Sequence, residues 1–264
     1  MSEMTANAKK KIAVITGASS GMGREFVLAL DKQEEFDELW LIARRQDKLE
    51  ALAAETRAPV RAISLDLGVQ AEIDKYKALL ETESPNVAVL VNAAGFGKFK
   101  AFTDMPLEEQ LSMIDLNDKA LVSMTYLTLP YMTEGGCIYQ LGSLSSFQPV
   151  PYINVYGASK AFVLSFSRAL NKELKKQGRG IKVMAVSPGW VSTDFFDRAV
   201  LDKETIVYYN RFYTPEQVIR RALRDMKKGK DVSICGFPIR AQVLATKLLP
   251  HGIVMAIWCR QQKK

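Results

Sequence analysis

The feature that most constrains this chain is a regular alternation of short apolar runs with longer helical segments. The apolar runs, rich in β-branched residues, are KIAVIT at 11–16, LWLIA at 39–43, VRAISL at 60–65, VAVLVN at 87–92, CIYQLG at 137–142, IKVMAVS at 181–187 and VSIC at 232–235. Segments with a helical period separate them, at about 22–33, 46–56, 69–81, 106–132, 155–177 and 215–228. Strands that alternate with helices build a parallel sheet covered on both faces. We therefore predict a three-layer α/β fold with a doubly wound sheet of about seven strands.

The length of 264 residues suits one such domain, which we predict to span residues 11–264. Residues 1–10 lack the apolar run of a signal peptide and are interpreted as a short disordered leader. The aromatic-rich region 189–214 interrupts the alternation. We interpret it as a lid over a ligand crevice, with a surface helical hairpin as the alternative.

An apolar stretch lies at about 241–258, near the end of the chain. Lys247, Pro250 and His251 interrupt it, and a membrane-spanning helix needs about 20 predominantly apolar residues. No transmembrane segment is predicted. A dimer contact, a wall of a substrate pocket and peripheral membrane attachment remain open interpretations of this stretch.

Charge and residue usage exclude several classes of function. The net charge of +7 is spread along the chain without a nucleic-acid-binding motif, so it favours an anionic ligand over nucleic acid. Cys137, Cys235 and Cys259 are too widely spaced to predict a disulfide framework or a metal site, which indicates a cytoplasmic protein. The single histidine, His251, disfavours Ser/His/Asp hydrolysis.

A glycine-rich segment, TGASSGMG at 16–23, follows the first predicted strand and opens the first predicted helix. Glycines let the backbone approach a pyrophosphate, and the helix N-terminus offers unpaired N–H donors. This context predicts a Rossmann-type dinucleotide site, although a turn made only for tight packing has the same appearance. The predicted cofactor contacts in the segment are Gly17, Ser19, Ser20, Gly21, Met22 and Gly23.

The end of the second strand indicates which dinucleotide is bound. An NAD enzyme typically places a carboxylate there to bind the ribose diol. This chain has Ala43 followed by Arg44 and Arg45, and guanidinium groups favour a 2′-phosphate. We predict NADP(H) in preference to NAD(H); the alternative is that both arginines are solvated, Arg45 above all.

Tyr156 and Lys160 are spaced to share one helix face, where a cation stabilises a phenolate and lowers its pKa. Ser143 precedes them at the end of the fifth predicted strand, where its hydroxyl would bond a reacting oxygen. Tyr and Lys at this spacing are usually an ordinary surface pair, but their place after this strand and the glycine segment favours acid–base catalysis.

Taken together, these motifs resemble those of the short-chain dehydrogenase/reductase family over roughly residues 11–235. TGASSGMG is similar to the family's cofactor loop, the segment at 92–95 to its NNAG motif with Ala93 in place of the second Asn, and the segment at 187–193 to its nicotinamide-binding stretch. The resemblance implies a catalytic tetrad of Asn117, Ser143, Tyr156 and Lys160. It implies further cofactor contacts at Asp66, Leu67, Asn92, Ala93, Ala94, Gly95, Pro188, Gly189, Val191 and Thr193.

The resemblance also implies a mechanism. Hydride passes between the nicotinamide and a carbonyl carbon while Tyr156 protonates the oxygen. Ser143 would polarise that oxygen, Lys160 would bond the nicotinamide ribose, and Asn117 would hold a water that links Lys160 to solvent. Ser20 departs from the pattern, since many NADP-preferring members carry Lys or Arg there, which leaves the 2′-phosphate chiefly to Arg44. Relatives pair through the helices represented by 106–132 and 155–177, so a homodimer or homotetramer is expected.

Aromatic residues near these motifs predict an apolar substrate. Phe96 and Phe99 would bound the pocket, and the predicted substrate contacts are Ser143, Leu144, Phe147, Tyr152, Trp190, Phe195 and Phe196. The leading hypothesis is an NADP(H)-dependent carbonyl reductase or alcohol dehydrogenase, with a hydroxysteroid dehydrogenase as a more specific option. The alternatives are a dinucleotide-binding regulator without turnover and a nucleic-acid or membrane-surface protein.

Overall fold

A computed structural model describes residues 9–195, 199, 205–209 and 211–264. Its strands are β1 (Lys11–Thr16), β2 (Glu38–Ala43), β3 (Val60–Ser64), β4 (Asn86–Asn92), β5 (Met132–Leu141), β6 (Lys182–Val186), β7 (Trp190–Val191), β8 (Phe212–Tyr213) and β9 (Val232–Ser233). Seven of them form one parallel sheet in the order β3-β2-β1-β4-β5-β6-β9, which confirms the predicted doubly wound α/β architecture. Strands β7 and β8 pair separately.

Helices connect the strands and cover both faces of the sheet. They are α1 (Gly21–Gln33), α2 (Gln46–Ala53), α3 (Gln70–Glu83), α4 (Leu107–Ile114), α5 (Ala120–Thr128), α6 (Asn154–Lys176), α7 (Pro215–Lys227), α8 (Phe237–Leu248) and α9 (His251–Gln261). Within the described ranges, each helix is too short or too polar to cross a bilayer.

Strand β1 shows why the sheet needs both helical layers. Its residues alternate in direction, so Ala13 and Ile15 belong to one apolar core while Ile12 and Val14 belong to the other. All four side chains are fully buried. A strand that is apolar on both faces is stable only between two covering layers.

The strand order reverses between β1 and β4, and this reversal positions the site. The chain runs outward from β1 to β3 on one side and from β4 to β9 on the other. The loops that leave the carboxyl ends of β1 and β4 therefore diverge and leave a crevice, which is where ligands bind in sheets of this kind.

Two predicted elements have different bounds in the structure. The helical segment predicted at 106–132 is interrupted by a π-helical turn at Asp115–Lys119, between α4 and α5. Strand β5 begins at Met132, five residues before the predicted start. Met132 pairs with Val87 and Cys137 pairs with Val89, so a register shift lets the strand continue through the glycines at 135 and 136, where the apolar pattern is broken.

The regions outside the regular sheet are described only in part. Residues 1–8 of the predicted leader lie outside the described residues, as do 196–198, 200–204 and 210 of the predicted lid. The apolar C-terminal stretch forms two helices, α8 and α9, separated at Leu249 and Pro250. Proline lacks the N–H needed to continue α8 and is well placed to precede α9.

A buried carboxylate joins α7 to the edge strand β9. Asp225 accepts hydrogen bonds from Arg221 Nε at 2.7 Å and Ser233 Oγ at 3.0 Å, and Lys230 Nζ lies 3.0 Å from its other oxygen. Burial raises the pKa of Asp225, but the hydrogen bonds from Arg221, Lys230 and Ser233 outweigh burial and hold the pKa below its usual value.

We therefore expect Asp225→Asn to lower the free energy of unfolding by about 2 kcal/mol at neutral pH, since it leaves two cations without their counterion. Because the folded-state pKa is lowered, the stabilisation is present above about pH 4 and is lost as the carboxylate protonates in acid. Asp231→Asn is the matched control, since Asp231 pairs with Arg168 at an exposed site and should cost less than about 1 kcal/mol. Equal losses for the two variants in urea unfolding would contradict this assignment.

Candidate active site

One large cavity opens at the carboxyl ends of the strands, where the strand order reverses. Its wall joins the glycine-rich loop after β1, the ends of β2 and β3, the loop after β4, the segment after β5 and the N-terminal part of α6. Residues from the C-terminal helices complete it. The cavity therefore has two regions, one at the glycine-rich loop and one at Tyr156.

The loops after β1 and β4 are tied together at the base of the cavity. Thr16 Oγ1 accepts hydrogen bonds from the backbone N–H groups of Ala93 and Ala94, at 3.1 and 3.0 Å. Gly17 has φ +66°, and a Cβ at this position would lie 2.7 Å from the Ala93 carbonyl oxygen. Only glycine allows this approach, and the result is a backbone cradle at the N-terminus of α1.

Gly23 is restricted in the same way inside the first turn of α1. A Cβ there would lie 2.2 Å from the carbonyl oxygen of Gly17. The loop backbone folds directly over the helix and leaves no room for a side chain between them. The cavity wall includes all six loop residues predicted to contact a cofactor.

The two arginines after β2 also line the cavity. Arg45 donates from Nη2 to Ser19 Oγ at 3.1 Å and to Ser20 Oγ at 3.0 Å, which places its guanidinium on the glycine-rich loop. Arg44 is 67% exposed in its side chain and lies 3.6 Å from the Asp66 carboxylate. Arg44 was predicted to bind most of the anion, but Arg45 is the arginine that contacts the glycine-rich loop, while Arg44 pairs with Asp66.

At the other end of the cavity, the Ser143 hydroxyl lies close enough to the Tyr156 phenol to favour a lower pKa of that group by hydrogen bonding. Ser143 follows β5 and caps a short 3₁₀ turn, where its Oγ accepts from the Ser145 N–H at 3.2 Å. Lys160 lies one turn beyond Tyr156 on α6, and its Nζ donates to the Leu141 carbonyl at 2.9 Å. The three predicted catalytic side chains thus converge where β5 and α6 meet.

Asn117 lies in the π-helical turn and is fully buried, behind the cavity wall. Its Nδ2 donates to the Phe96 carbonyl at 2.9 Å and to Ser159 Oγ at 3.1 Å, and its Oδ1 accepts from the Phe96 N–H at 3.0 Å. A Cβ on Gly95 would lie 2.7 Å from Asn117 Oδ1 and 3.5 Å from Lys160 Nζ, so both side chains approach the same glycine. Both N–H groups of the amide are used by protein atoms, which leaves only Oδ1 able to accept a further bond.

Burial dominates the electrostatics of this cluster. It lowers the pKa of Lys160 to about 8, against an opposing effect of Asp118, and raises the pKa of Asp118 to about 6, against an opposing effect of Lys160. Burial also raises the pKa of Tyr156 to about 12, although the hydrogen bond with Ser143 works in the other direction. Desolvation of the phenolate is therefore the largest effect on the pKa of Tyr156, and the lowering expected from Lys160 stays a prediction.

Aromatic rings cover Tyr156 on its open side. The ring centroids of Phe99 and Phe195 each lie 5.7 Å from that of Tyr156, and Phe99 and Trp190 make an edge-to-face contact at 6.5 Å. Tyr209 continues the cluster, 5.0 Å from Trp190. Such rings exclude water from the Tyr156 hydroxyl and give the cavity an apolar interior.

Some predicted site residues lie elsewhere. Asn92 is buried within the fold, where its Nδ2 donates to Thr125 Oγ1 at 3.0 Å and to Gln140 Oε1 at 2.9 Å, so it joins β4, α5 and β5 instead of facing the cavity. Phe147 and Tyr152 are also absent from the described cavity wall, and their rings lie near Lys247 and Lys264 instead. Phe196 lies outside the described residues.

The other predicted residues line the cavity. They are Asp66, Leu67, Ala93, Ala94, Gly95, Leu144, Pro188, Gly189, Trp190, Val191, Thr193 and Phe195, together with the residues described above.

Several members of the wall were not predicted from the sequence. They are Gln148, Val150 and Ile153 before α6, Tyr208, and Gln242, Trp258 and Gln261 from the C-terminal helices. Trp258 Nε1 donates to the Pro151 carbonyl at 3.0 Å, so α9 is fixed against the segment between Ser143 and Tyr156. Three interpretations of the C-terminal stretch were open. The side of the stretch that carries Gln242, Trp258 and Gln261 forms part of the pocket wall, which agrees with one of them.

Comparisons with known proteins agree with this geometry. The family profile described as short chain dehydrogenase matches residues 11–204. An uncharacterised oxidoreductase of Staphylococcus epidermidis is 34% identical over 209 residues, covering 76% of this chain and 89% of the relative. A short-chain dehydrogenase from Sphingobium yanoikuyae in complex with NADPH superposes with a TM-score of 0.78 at 29% identity, over 92% of this chain and 95% of the other. A bulky-bulky ketone specific alcohol dehydrogenase from Comamonas testosteroni gives a TM-score of 0.72 at 26% identity, over 92% and 93%.

The tight loop at Gly23 generates a prediction about dinucleotide binding. Gly23→Ala should weaken NADPH binding by at least about tenfold in calorimetric titration, because the added methyl group displaces the Gly17 backbone. Gly252→Ala is the control, since a Cβ at Gly252 meets no atom within 4 Å. A correctly folded Gly23→Ala protein with unchanged NADPH affinity would show that the loop is not the cofactor cradle.

Proposed function

This chain belongs to the short-chain dehydrogenase/reductase family and is an NAD(P)-dependent oxidoreductase of alcohols or carbonyl compounds; we propose that it interconverts an apolar ketone and its alcohol with NADP(H). One observation carries the proposal. One cavity contains a backbone cradle flanked by two arginines at one end, and Ser143 beside Tyr156 among aromatic rings at the other.

The residues of the cavity fit a dinucleotide. The glycine-rich loop and the N-terminus of α1 would hold its pyrophosphate, and the segments at 66–67 and 93–95 would flank the adenosine half. Pro188, Gly189, Val191 and Thr193 would hold the nicotinamide half, as the family resemblance implies. A bound nicotinamide cofactor supplies or accepts the hydride.

Tyr156 is the proposed proton donor to the carbonyl oxygen. A pKa raised to about 12 by burial keeps its hydroxyl protonated at neutral pH, which suits an acid in the direction of ketone reduction. Ser143 would donate a hydrogen bond to the same oxygen, since its hydroxyl lies on the same part of the cavity wall as that of Tyr156. Lys160 remains cationic below about pH 8 and, beside Tyr156, would stabilise the phenolate that proton transfer leaves.

Asn117 is proposed as a positioning residue. Its amide bonds both backbone groups of Phe96 and reaches Ser159 on α6, and so it fixes the loop after β4 against the helix that carries Tyr156 and Lys160. Its Oδ1 can accept one further hydrogen bond, and we propose that this bond comes from the water that links Lys160 to solvent.

The proposed preference for NADP(H) rests on Arg44 and Arg45. Both line the cavity beyond the end of β2, where no carboxylate follows the strand directly. A 2′-phosphate would compete with Asp66 for Arg44 and with the two serine hydroxyls for Arg45, and a dianion is the stronger partner. The similar Sphingobium dehydrogenase was solved with NADPH.

Apolar walls around Tyr156 favour an uncharged, bulky ketone. Phe99, Trp190 and Phe195 surround the phenol, while Gln148 and Gln261 offer hydrogen bonds farther away. The Comamonas enzyme, to which this chain is similar, is specific for bulky-bulky ketones. The substrate class therefore combines a large apolar body with few polar groups.

A homo-oligomer, either a dimer or a tetramer, is proposed through the long helices. Leu107 and Leu111 on α4, Tyr126 on α5 and Phe162 on α6 are all exposed, and α4 also carries Glu108 and Glu109. An apolar surface with charges of both signs nearby can meet its own copy without net repulsion.

The proposed acid is tested with Tyr156→Phe. The variant should bind NADPH as the parent does but lose ketone reduction by about 100-fold or more, because the phenol proton is gone. Tyr152→Phe is the matched control and should keep its activity, since Tyr152 does not line the described cavity. The assay is NADPH absorbance with a panel of apolar ketones that includes steroids. Undiminished turnover by Tyr156→Phe would refute the assignment, and absence of turnover by the parent across the panel would favour a binding regulator.

The cofactor preference is tested with Arg44→Ala and Arg45→Ala. Each variant should raise the KM for NADPH by about tenfold to 100-fold, since each removes a charge-assisted bond to phosphate. The KM for NADH should change little and serves as the internal control. A parent enzyme that prefers NADH, or equal losses with both cofactors, would contradict the proposal.

A further inference from the structure

The outer surface of the C-terminal helices remains without a role in the reaction. On α8, Phe237, Leu244 and Leu248 are 74%, 59% and 76% exposed, and their spacing places them on one helix face. Ile239 and Val243 are buried on the opposite face. Helix α8 therefore has apolar side chains on its exposed face as well as on its buried face. Large exposed apolar patches usually mark a binding surface.

Helix α9 continues the exposed apolar surface. Ile253 and Ile257 are 49% and 47% exposed, while Val254 is buried and Trp258 faces the cavity. Leu249, between the helices, is exposed as well. We call these outward apolar residues of α8 and α9, with the basic residues described next, the C-terminal surface.

Charge distinguishes this surface from the rest of the molecule. Residues 232–264 contain five Lys and Arg residues and not one of the chain's 29 acidic residues, so they contribute most of the net charge of +7. Arg240 and Lys247 follow Phe237 and Leu244 by three positions each and flank the apolar stripe. The Arg240 guanidinium lies 5.9 Å from the Phe237 ring centroid, so cation and apolar group are adjacent. Among the described ion pairs, none involves Arg240 or Lys247.

We propose that the C-terminal surface docks on an anionic lipid bilayer. Apolar side chains flanked by cations, without acidic residues, match the headgroup and acyl boundary of such a membrane. With 12 and 11 residues, α8 and α9 are about 18 and 16 Å long, too short to cross a hydrocarbon core of about 30 Å. The helices therefore lie on the membrane without spanning it.

A second copy of this chain is a poorer partner for the same surface. A two-fold interface brings the same patch of each copy together, so the cations of one would face the cations of the other. The α4 to α6 surface, where apolar residues lie beside charges of both signs, suits a second copy better.

The inner face of α9 connects this surface to the cavity. Trp258 and Gln261 line the cavity, and Gln262 Oε1 accepts hydrogen bonds from the Val207 and Tyr208 N–H groups at 2.9 and 3.0 Å. Docking would therefore place the substrate end of the cavity close to the bilayer, where apolar compounds concentrate. This consequence rests on the proposed function, but the docking itself does not.

Co-sedimentation with vesicles tests the proposal. The full chain should bind vesicles of phosphatidylcholine and phosphatidylglycerol, bind phosphatidylcholine alone at least about tenfold more weakly, and dissociate as salt is raised. Arg240→Glu/Lys247→Glu should reduce binding by at least about tenfold. Lys175→Glu/Lys176→Glu, which makes the same change of charge at the exposed end of α6, should leave it unchanged.

Leu244→Ser/Leu248→Ser tests the apolar part and should also weaken vesicle binding, with circular dichroism to establish that α8 is intact. Failure of the parent protein to bind anionic vesicles, or equal losses for the α8 and α6 charge variants, would overturn the proposal. A fall in molar mass by light scattering for Leu244→Ser/Leu248→Ser would also overturn it, by assigning the surface to a second copy. Vesicle binding needs no turnover, so its outcome is independent of the Tyr156→Phe experiment.

Discussion

The bond that the site depends on is the one made by Thr16 Oγ1 at the carboxyl end of β1. By accepting from the N–H groups of Ala93 and Ala94, it joins the two loops that the reversal of strand order would otherwise separate. The close contact of Gly17 with Ala93 depends on this tie. The cradle at α1 and the loop after β4 therefore share one anchor, and Asn117 bonds the same loop at Phe96.

The second constraint is a buried cation. Lys160 is enclosed by protein, and its burial lowers its pKa to about 8, a free-energy cost that the Leu141 carbonyl and the charge of Asp118 partly offset. Buried ionisable groups are retained where their charge is used. The same low-dielectric surroundings raise the pKa of Tyr156, so the protein holds a protonated phenol beside an ammonium group that is easily neutralised.

The alternation of apolar runs with helical segments was sufficient to predict the seven-stranded sheet. A strand buried on both faces is a continuous apolar run, and a helix packed on the sheet has a helical apolar period. The cofactor loop and the positions of Ser143, Tyr156 and Lys160 were also predictable, since each lies at a strand end or at a fixed helical spacing. Asn92 was misplaced because its neighbours in sequence line the cavity while its own side chain points into the core. The contributions of Trp258 and Gln261 were missed because contacts between segments about a hundred residues apart leave no local pattern.

Gln262 joins the end of the C-terminal helices to the segment at 207–208. Its buried amide accepts from the Val207 and Tyr208 N–H groups and donates to the Tyr208 carbonyl, so the segment at 207–208 is bonded to the residue that caps α9. The remaining wall of the substrate end comes from the loop after β4, the segments that carry Ser143 and Tyr156, and the segment at 190–195. Exchange of the C-terminal segment, by recombination or by protein engineering, would therefore remodel the far end of the cavity, and a replacement would also have to supply the bond from Trp258 to the Pro151 carbonyl, which supports the segment between Ser143 and Tyr156.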